Sequence, residues 1–290
     1  MSKGVLVVTG AAGMLGRRVM ADAKTAGWDA VGLDIRESDL VVDLTDAAAT
    51  SKALRDAGAS AVIHCAAWVD VDAAEAHEDA ALRINGLASE NVARACKEAG
   101  ARLVAVSTDY VFDGTLTGRP SVESDPTAPI GAYGRTKRAG EAAIAEQTED
   151  YVIARTAWLF GWPGKSFPDT MLRAGATRDA VAVVTDQVGS PTWTGHLSPA
   201  LVELASGTVT GIAHTTGGGQ TSWHGLTVEL YAQAGLATTV NETTAAEFVR
   251  PAPRPAWSVL ATERASEGVP VLPDWREGVA GYLAERGSGE

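Results

Sequence analysis

The chain has 290 residues, of which 46% are hydrophobic and 21% charged, and 36 acidic against 24 basic residues give a net charge of −12. The balance is that of a globular protein, and the negative field repels nucleic acid and anionic membranes, so we expect neither as a partner. Cys65 and Cys96 have neither a CxxC nor a zinc-type spacing. The apolar run at residues 5–8 is too short for a signal peptide and no later run reaches membrane-spanning length, so we expect a cytoplasmic protein.

Short β-branched segments alternate with longer helical ones over residues 1–160. The predicted strands are residues 5–9, 30–34, 40–43, 61–64, 102–108 and 151–155. The predicted helices are residues 13–25, 47–57, 80–99 and 133–146. Most of the strands are apolar throughout, which suits a sheet that is buried on both faces. The repeated β-α-β order predicts an α/β fold with a Rossmann-type, doubly wound parallel sheet.

The pattern changes after Trp158. Turn-rich stretches at residues 161–164, 215–219 and 250–255 separate elements that look short and irregularly ordered. We interpret residues 161–290 mainly as a smaller, interwoven C-terminal substrate lobe. Part of 190–220 is expected to return to the first, NAD(P)-binding domain.

A glycine-rich loop, GAAGMLG at residues 10–16, joins the first strand to the first helix. Glycines such as Gly10 and Gly13 permit positive φ and a close approach of the backbone to a pyrophosphate, and the N–H groups at the helix start bind its charge. GxxGxxG alone is a weak signal and can arise by chance in a glycine-rich chain. The strand before it and the helix after it favour dinucleotide binding.

The end of the second strand bears on the choice of cofactor. Asp34 lies about 20 residues beyond the loop, where an acidic side chain bonds the adenosine ribose, although aspartate is also common in solvated turns. Arg36 is placed to bind the 2′-phosphate of NADPH. Asp34, Ile35 and Arg36 are therefore cofactor candidates, and the choice between NADH and NADPH stays open.

Tyr133 and Lys137 lie four residues apart at the start of a predicted helix, so their side chains share one helical face. A free phenol has a pKa of about 10, and we expect the nearby ammonium to lower it so that proton exchange becomes feasible. Lys137 is also placed to bond the nicotinamide ribose. YxxxK occurs by chance in many proteins as a ring packed on a lysine stem, but behind a dinucleotide loop it predicts an acid–base centre.

The predicted strand 102–108 ends in Ser107 and Thr108. Ligands of an open parallel sheet bind beyond the carboxyl ends of its strands, so a hydroxyl here can hydrogen-bond a substrate carbonyl beside the phenol. The alternative is that both side chains only cap a turn.

Longer motifs occur in order along nearly the whole chain. Besides the loop at 10–16, they are STDYVFDG at 107–114, YGRTKRAGE at 133–141, RTAWLF at 155–160, DQVGSPT at 186–192, and Arg254-Pro255 with Ser258. By these motifs the chain resembles the dTDP-4-dehydrorhamnose reductases of the extended short-chain dehydrogenase/reductase group. The resemblance implies reduction of the 4-keto group of dTDP-4-dehydro-6-deoxy-L-mannose to dTDP-L-rhamnose with NADH or NADPH.

The resemblance also implies roles for single residues. Thr108, Tyr133 and Lys137 would be catalytic, Asp109 would contact the sugar, and Trp158 would line the substrate pocket unless it is only a core aromatic. The family holds its cofactor at the positions of Gly13, Met14, Leu15, Asp34, Asp43, Leu44, Ala66 and Ala67. In a proline-rich loop, Arg250 and Arg254 are either candidates for the nucleotide diphosphate or ordinary surface charges.

Three positions depart from the family pattern. Where some members bind magnesium at a dimer interface through glutamates, this chain has Arg18 and His196, so we expect no metal site and a monomer or weak homodimer. Trp68 replaces a frequent histidine and is expected to reshape the sugar pocket. Two other functions stay open: a different nucleotide-sugar 4-ketoreductase of deoxysugar biosynthesis, and a non-catalytic NAD(P)-binding subunit like the regulatory partner of methionine adenosyltransferase.

Overall fold

A computed structural model describes residues 3–289 and has a seven-stranded parallel sheet at its centre. The strands of the molecule are β1 (Val5–Thr9), β2 (Asp29–Asp34), β3 (Leu40–Val41), β4 (Ala59–His64), β5 (Arg102–Thr108), β6 (Tyr151–Thr156), β7 (Leu159–Phe160), β8 (Ala180–Val184), β9 (Val188–Gly189), β10 (Thr192–Trp193), β11 (Gly211–His214), β12 (Thr221–Ser222), β13 (Thr239–Thr243) and β14 (Trp257–Ser258). The central sheet has the order β11-β6-β5-β4-β1-β2-β3. The order reverses between β1 and β4, so the predicted Rossmann-type, doubly wound sheet is confirmed.

Helices cover both faces of this sheet. They are α1 (Met14–Thr25), α2 (Ala47–Ala57), α3 (Val71–Ala76), α4 (Glu78–Leu82), α5 (Ala88–Ala99), α6 (Ala132–Gln147), α7 (Phe167–Gly175), α8 (Thr194–Ser206), α9 (Trp223–Ala234) and α10 (Trp275–Gly289). A π-helical turn, Arg83–Leu87, joins α4 to α5, and 3₁₀ turns cover Asp109–Val111, Ala245–Glu247 and Ala265–Glu267. Side chains alternate along β1: Leu6 and Val8 pack with α1 and α8, whereas Val7 packs with α2 and α5.

A third hydrophobic core, the aromatic cluster, lies outside the central sheet. Its buried members are Phe160, Val181, Val183, Leu226, Leu230, Tyr231, Trp275, Val279 and Tyr282. Three small sheets, β10-β7, β12-β9-β14 and β13-β8, accompany it. Two elements of the C-terminal half pack on the first domain. Helix α8 packs on α1, and β11 extends the central sheet beside β6. No helix within residues 3–289 is both long and apolar enough to cross a membrane.

Most of the predicted elements agree with the structure to within two residues. Strand β3 is shorter than predicted because Asp43 leaves it to accept hydrogen bonds from the N–H and hydroxyl of Thr45 in a turn. The predicted helix 80–99 is interrupted by the π-helical turn. The expectation of only short elements after residue 161 is wrong, because α8, α9 and α10 have 13, 12 and 15 residues.

One buried carboxylate ties α6 to two strands of the central sheet. Glu141 accepts a hydrogen bond of 2.6 Å from the Ser107 hydroxyl of β5 and bonds of 2.9 and 2.8 Å from the Arg155 guanidinium of β6. The side chains of Glu141 and Arg155 are only 3% and 4% exposed. Because Glu141 follows Lys137 by four residues and Tyr133 by eight, this ion pair sets the helical face that carries both.

We expect Glu141→Gln to lower the free energy of unfolding by about 3–5 kcal/mol, because losing one partner of a buried ion pair leaves the other charge uncompensated. Urea denaturation measures the loss. Glu146→Gln makes the same change at an exposed position of α6 and should stay within about 0.5 kcal/mol of the parent chain. Equal effects of the two substitutions would show that the buried pair does not anchor the helix.

Candidate active site

A cleft of about 960 Å³ opens at the carboxyl ends of the parallel strands. It is lined by residues that end or follow β1, β2, β4, β5 and β6, and by the first turns of α6. The predicted site residues that line it are Gly10, Gly13, Met14, Leu15, Asp34, Ile35, Asp43, Leu44, Ala66, Ala67, Thr108, Asp109, Tyr133, Lys137 and Trp158. Two predicted residues, Arg36 and Arg254, do not line it.

The glycine-rich loop folds tightly at the end of β1. Gly10 has a φ of +67°, and a Cβ on Gly16 would lie only 2.1 Å from the carbonyl oxygen of Gly10. Helix α1 starts directly after Gly13, and no side chain caps it. The N–H groups of its first turn therefore stay available to an anion, and the loop fits the pyrophosphate of a dinucleotide.

The Asp34 carboxylate is fixed where β2 meets this loop. Its Oδ2 accepts a hydrogen bond of 3.0 Å from Ala12 N–H, and its Oδ1 accepts one of 2.7 Å from Ile35 N–H. Arg36 is exposed and forms no ion pair with any residue of the described range 3–289. Arg36 directly follows Ile35, which lines the cleft, and its guanidinium is free to bind a phosphate.

Thr108 and Tyr133 are neighbours in the cleft. The Thr108 hydroxyl donates to Asp109 Oδ1 at 2.9 Å and accepts from Tyr110 N–H at 3.2 Å. Burial raises the pKa of Tyr133 to about 12, while the Thr108 hydroxyl lowers it and the Asp109 charge raises it. The expected lowering of this pKa by the Lys137 ammonium is therefore wrong for this structure, and the phenol is protonated at neutral pH.

Lys137 is buried on the strand side of α6. Its Nζ donates a hydrogen bond of 2.8 Å to the carbonyl oxygen of Val106 in β5. Burial lowers the pKa of Lys137 to about 8, against the opposing effects of Glu141 and Cys65. The ammonium form prevails at neutral pH, and its hydrogen bond to the Val106 carbonyl oxygen keeps the positive charge beside β5.

Two stacked indoles form another wall of the cleft. The rings of Trp158 and Trp223 have centroids 3.4 Å apart and planes 2° from parallel. The Trp158 N–H donates a bond of 3.2 Å to the Ser258 hydroxyl. Burial raises the pKa of Asp109 to about 6, and the Ser258 and Thr108 hydroxyls act against that rise. Ser258 and Asp109 thus connect the indole wall to Thr108.

The remaining predicted basic residues are already paired. Arg250 and Arg254 lie 3.5 and 3.0 Å from the Asp72 carboxylate. Arg18 pairs with Asp22 and Glu285 at 2.9 and 3.2 Å. None of these three cations lines the cleft.

The other two positions at which the sequence departs from the family pattern also lie outside the cleft. His196 packs edge-on against Trp193 at a centroid distance of 5.0 Å. Trp68 donates its indole N–H to the carbonyl oxygen of Asp70 and does not line the cleft. Within residues 3–289 no group of three histidine, cysteine or acidic side chains is arranged to hold a metal ion.

Comparison with known proteins identifies the family. Residues 4–287 match the model of the family described as the RmlD substrate binding domain. The chain belongs to this family. The family resemblance that the motifs predict is confirmed.

Similarity of this RmlD-family chain to individual proteins extends over nearly its full length. It is 41% identical over 280 residues to a dTDP-4-dehydrorhamnose reductase of Streptomyces griseus, covering 93% of this chain and 90% of that protein. It is 40% identical over 277 residues to a probable dTDP-4,6-dihydroxy-2-methyloxan-3-one 4-ketoreductase of Streptomyces antibioticus, covering 93% and 91%. The crystal structure of dTDP-4-dehydrorhamnose reductase from Bacillus anthracis in complex with NADP superposes with a TM-score of 0.93 at 33% identity, covering 98% of this chain and all of that one.

Among the polar or aromatic residues that line the cleft without having been predicted are Arg83, Thr156, Lys165 and Trp223. Arg83 and Lys165 form no ion pair with any other described residue. A Cβ on Gly164 would lie 2.7 Å from the Met14 side chain, so the segment before Lys165 lies against the start of α1. The RTAWLF motif contains Thr156 and could have indicated it, whereas nothing local to the other three points to the cleft.

We expect Arg36→Ala to weaken the binding of NADPH more than that of NADH, because only NADPH carries the phosphate that the free guanidinium can bind. A loss of about tenfold for NADPH, with NADH changed less than twofold, would correspond to one charge-assisted contact. Fluorescence titration measures both affinities. Arg55→Ala, which removes an exposed charge on α2 away from the cleft, controls for the change in net charge. Equal losses for the two cofactors would exclude Arg36 as a reader of the 2′ position.

We expect kcat/KM to fall as the pH rises through about 8, the pKa to which burial lowers Lys137. Lysine is charged below its pKa, so the charge that the site needs is lost on the alkaline side, and kcat/KM reports the free enzyme. In Lys137→Arg the fall should move to higher pH, because the guanidinium stays charged. A profile that is flat to pH 9.5, or that falls at the same pH in Lys137→Arg, would contradict this assignment.

Proposed function

We propose that this chain catalyses the NAD(P)H-dependent reduction of the 4-keto group of dTDP-4-dehydro-6-deoxy-L-mannose to dTDP-L-rhamnose. The observation that carries the proposal is that Thr108, Tyr133 and Lys137 line the same cleft as a glycine-rich loop. The Streptomyces griseus relative supports the substrate, and the NADP complex of the Bacillus anthracis relative supports the cofactor.

The residues present fit a nicotinamide dinucleotide. The tight turn at Gly10 and the uncapped start of α1 suit its pyrophosphate, and the Asp34 carboxylate suits the adenosine ribose. Arg36 is the candidate for a 2′-phosphate. Lys137 is the candidate for the nicotinamide ribose.

The reduced cofactor supplies, when bound, a hydride for the carbonyl carbon of the keto sugar. Tyr133 donates its phenolic proton to the carbonyl oxygen, so that the carbonyl becomes a secondary alcohol. The high pKa of the buried phenol keeps that proton in place until then. The Thr108 hydroxyl rotates about its Cβ–Oγ1 bond, so that its proton turns from Asp109 to the same oxygen. Lys137 keeps its ammonium on the Val106 carbonyl oxygen, where it can also bond the cofactor ribose.

The nucleotide sugar is bound between the catalytic residues and the aromatic cluster, so we assign residues 161–290 mainly to a substrate lobe. Asp109 accepts from a sugar hydroxyl, and Trp158 provides an apolar wall. Lys165 has no partner within the described chain and suits a diphosphate, whereas Arg254 can bind one only by sharing its bond with Asp72. Cytoplasmic location and a monomer or weak homodimer stay predictions from the sequence.

A second candidate function is the reduction of a different dTDP-4-keto sugar. The relative from Streptomyces antibioticus, which is a probable 4-ketoreductase of another sugar, is as similar to this chain as the rhamnose enzymes are. Both functions use the same proton donor. They differ in the sugar that is accepted and in the face of the sugar that meets the hydride.

We expect the purified chain, given NADPH and dTDP-4-dehydro-6-deoxy-L-mannose, to oxidise the cofactor at more than about 1 per second, an ordinary enzymatic rate. Absorbance at the NADPH band follows the turnover, and NMR of the product should identify dTDP-L-rhamnose. Tyr133→Phe removes the proton donor and should lower kcat about 100-fold or more, with NADPH affinity nearly unchanged.

The control outcomes separate the alternatives. The C4 epimer as product would support the second candidate, because the opposite face of the sugar must then meet the hydride. Tight cofactor binding without oxidation by any dTDP-, UDP- or GDP-4-keto sugar would favour a non-catalytic NAD(P)-binding subunit. Turnover by Tyr133→Phe at the parent rate would remove Tyr133 from the mechanism.

A further inference from the structure

Two buried polar atoms of the cleft have no hydrogen-bond partner among residues 3–289. They are Asp109 Oδ2 and Thr156 Oγ1, and both residues line the cleft. Asp109 has the Ser258 and Thr108 hydroxyls as neighbours that act on its pKa. Thr156 is 6% exposed, and no group of the described residues hydrogen-bonds its Oγ1.

An unpaired buried hydroxyl destabilises a fold, so its presence in a cleft indicates that a ligand supplies the missing partner. Thr156 is the last residue of β6 and pairs in register with Thr108, the last residue of β5. Neighbouring strands lie about 4.8 Å apart, which puts Thr156 one strand beyond the hydroxyl that faces the substrate carbonyl.

The strand order indicates which ligand reaches Thr156. Along the sheet, Asp34 ends β2, the glycine-rich loop follows β1, Ala66 follows β4, and Lys137 is bonded to Val106 of β5. A dinucleotide with its adenosine ribose at Asp34 and its pyrophosphate at the loop therefore runs towards β6 with its nicotinamide end.

The cleft side chains that directly follow Thr156 have no free hydrogen-bonding group. The cleft residues that follow Thr156 are Ala157, Trp158 and Leu159, and the Trp158 N–H already bonds Ser258. A nicotinamide carboxamide offers both a donor and an acceptor, either of which a hydroxyl can meet. We infer that Thr156 binds the nicotinamide carboxamide through its hydroxyl. The inference rests on the proposed function only for the identity of the cofactor.

Thr156→Val keeps the shape of the side chain and removes the hydroxyl. We expect it to weaken NADPH binding about five- to tenfold, the effect of one hydrogen bond. Binding of 2′-phospho-ADP-ribose, which lacks the nicotinamide, should change less than twofold. Thr156→Ser, which keeps the hydroxyl, should bind NADPH within about twofold of the parent chain. Fluorescence or calorimetric titration measures each value without any sugar, so a failure of the proposed substrate does not affect the result.

Thermal unfolding of the ligand-free proteins is the second readout. Thr156→Val should have a Tm equal to or above that of the parent chain, because it removes an unpaired buried hydroxyl. Thr194→Val is the matched control: Thr194 Oγ1 is also buried and unpaired but lies outside the cleft, so its removal should leave NADPH affinity unchanged.

Three results would overturn the inference. Unchanged NADPH affinity in Thr156→Val with a raised KM for the sugar would assign the hydroxyl to the substrate. Equal losses for NADPH and 2′-phospho-ADP-ribose would show that the nicotinamide is not its partner. A lowered Tm of the ligand-free protein, with the affinity loss persisting in Thr156→Ser, would show that the threonine serves only the packing.

Discussion

The buried carboxylate of Glu141 is the constraint on which the active-site geometry depends. It bonds Ser107 and Arg155, and the next residues of the same two strands are Thr108 and Thr156, the hydroxyls at the end of the cleft. On its own helix it stands one turn beyond Lys137 and two beyond Tyr133. The Glu141 carboxylate thus fixes the strand ends and the helix face relative to each other. Because the Glu141–Arg155 ion pair is buried away from water, its strength depends on geometry rather than on charge screening.

The acidic chain binds an anionic cofactor by local means. At physiological salt, charges are screened beyond about 8 Å, so the net charge of −12 matters less to a bound phosphate than the groups beside it. Within the cleft, the groups that suit a phosphate are the N–H groups at the start of α1 and the cations Arg83 and Lys165. The cations that sequence reasoning favoured for the substrate diphosphate, Arg250 and Arg254, are partly neutralised by Asp72.

Much of the fold and of the site follows from the sequence, because local patterns encode them. The strand ends, the glycine-rich loop and the spacing of Tyr133 and Lys137 all come from residues close together in the chain. The missed features depend on contacts between distant segments: the stacking of Trp158 on Trp223, and the pairing of Arg254 with Asp72. The long helices of the C-terminal half were also missed, and one of them, α8, contains Pro199. The pKa of Tyr133 was predicted in the wrong direction because spacing does not report burial.

The wall formed by Trp158 is held under strain, and the reason lies in its contacts. Its φ of +47° is in the left-handed region, which costs roughly 1–2 kcal/mol for a residue with a side chain. Stacking on Trp223 can offset about 0.5–1.5 kcal/mol of that. Gly189 of the DQVGSPT motif borders the Trp158 ring on another side. Only glycine fits at this position, because a Cβ would lie 2.4 Å from the ring. So held, the indole N–H donates a hydrogen bond to Ser258, which neighbours Asp109. Asp109 in turn accepts the hydrogen bond of the Thr108 hydroxyl. A shift of the indole would therefore act on the same hydrogen-bond chain that holds the Thr108 hydroxyl.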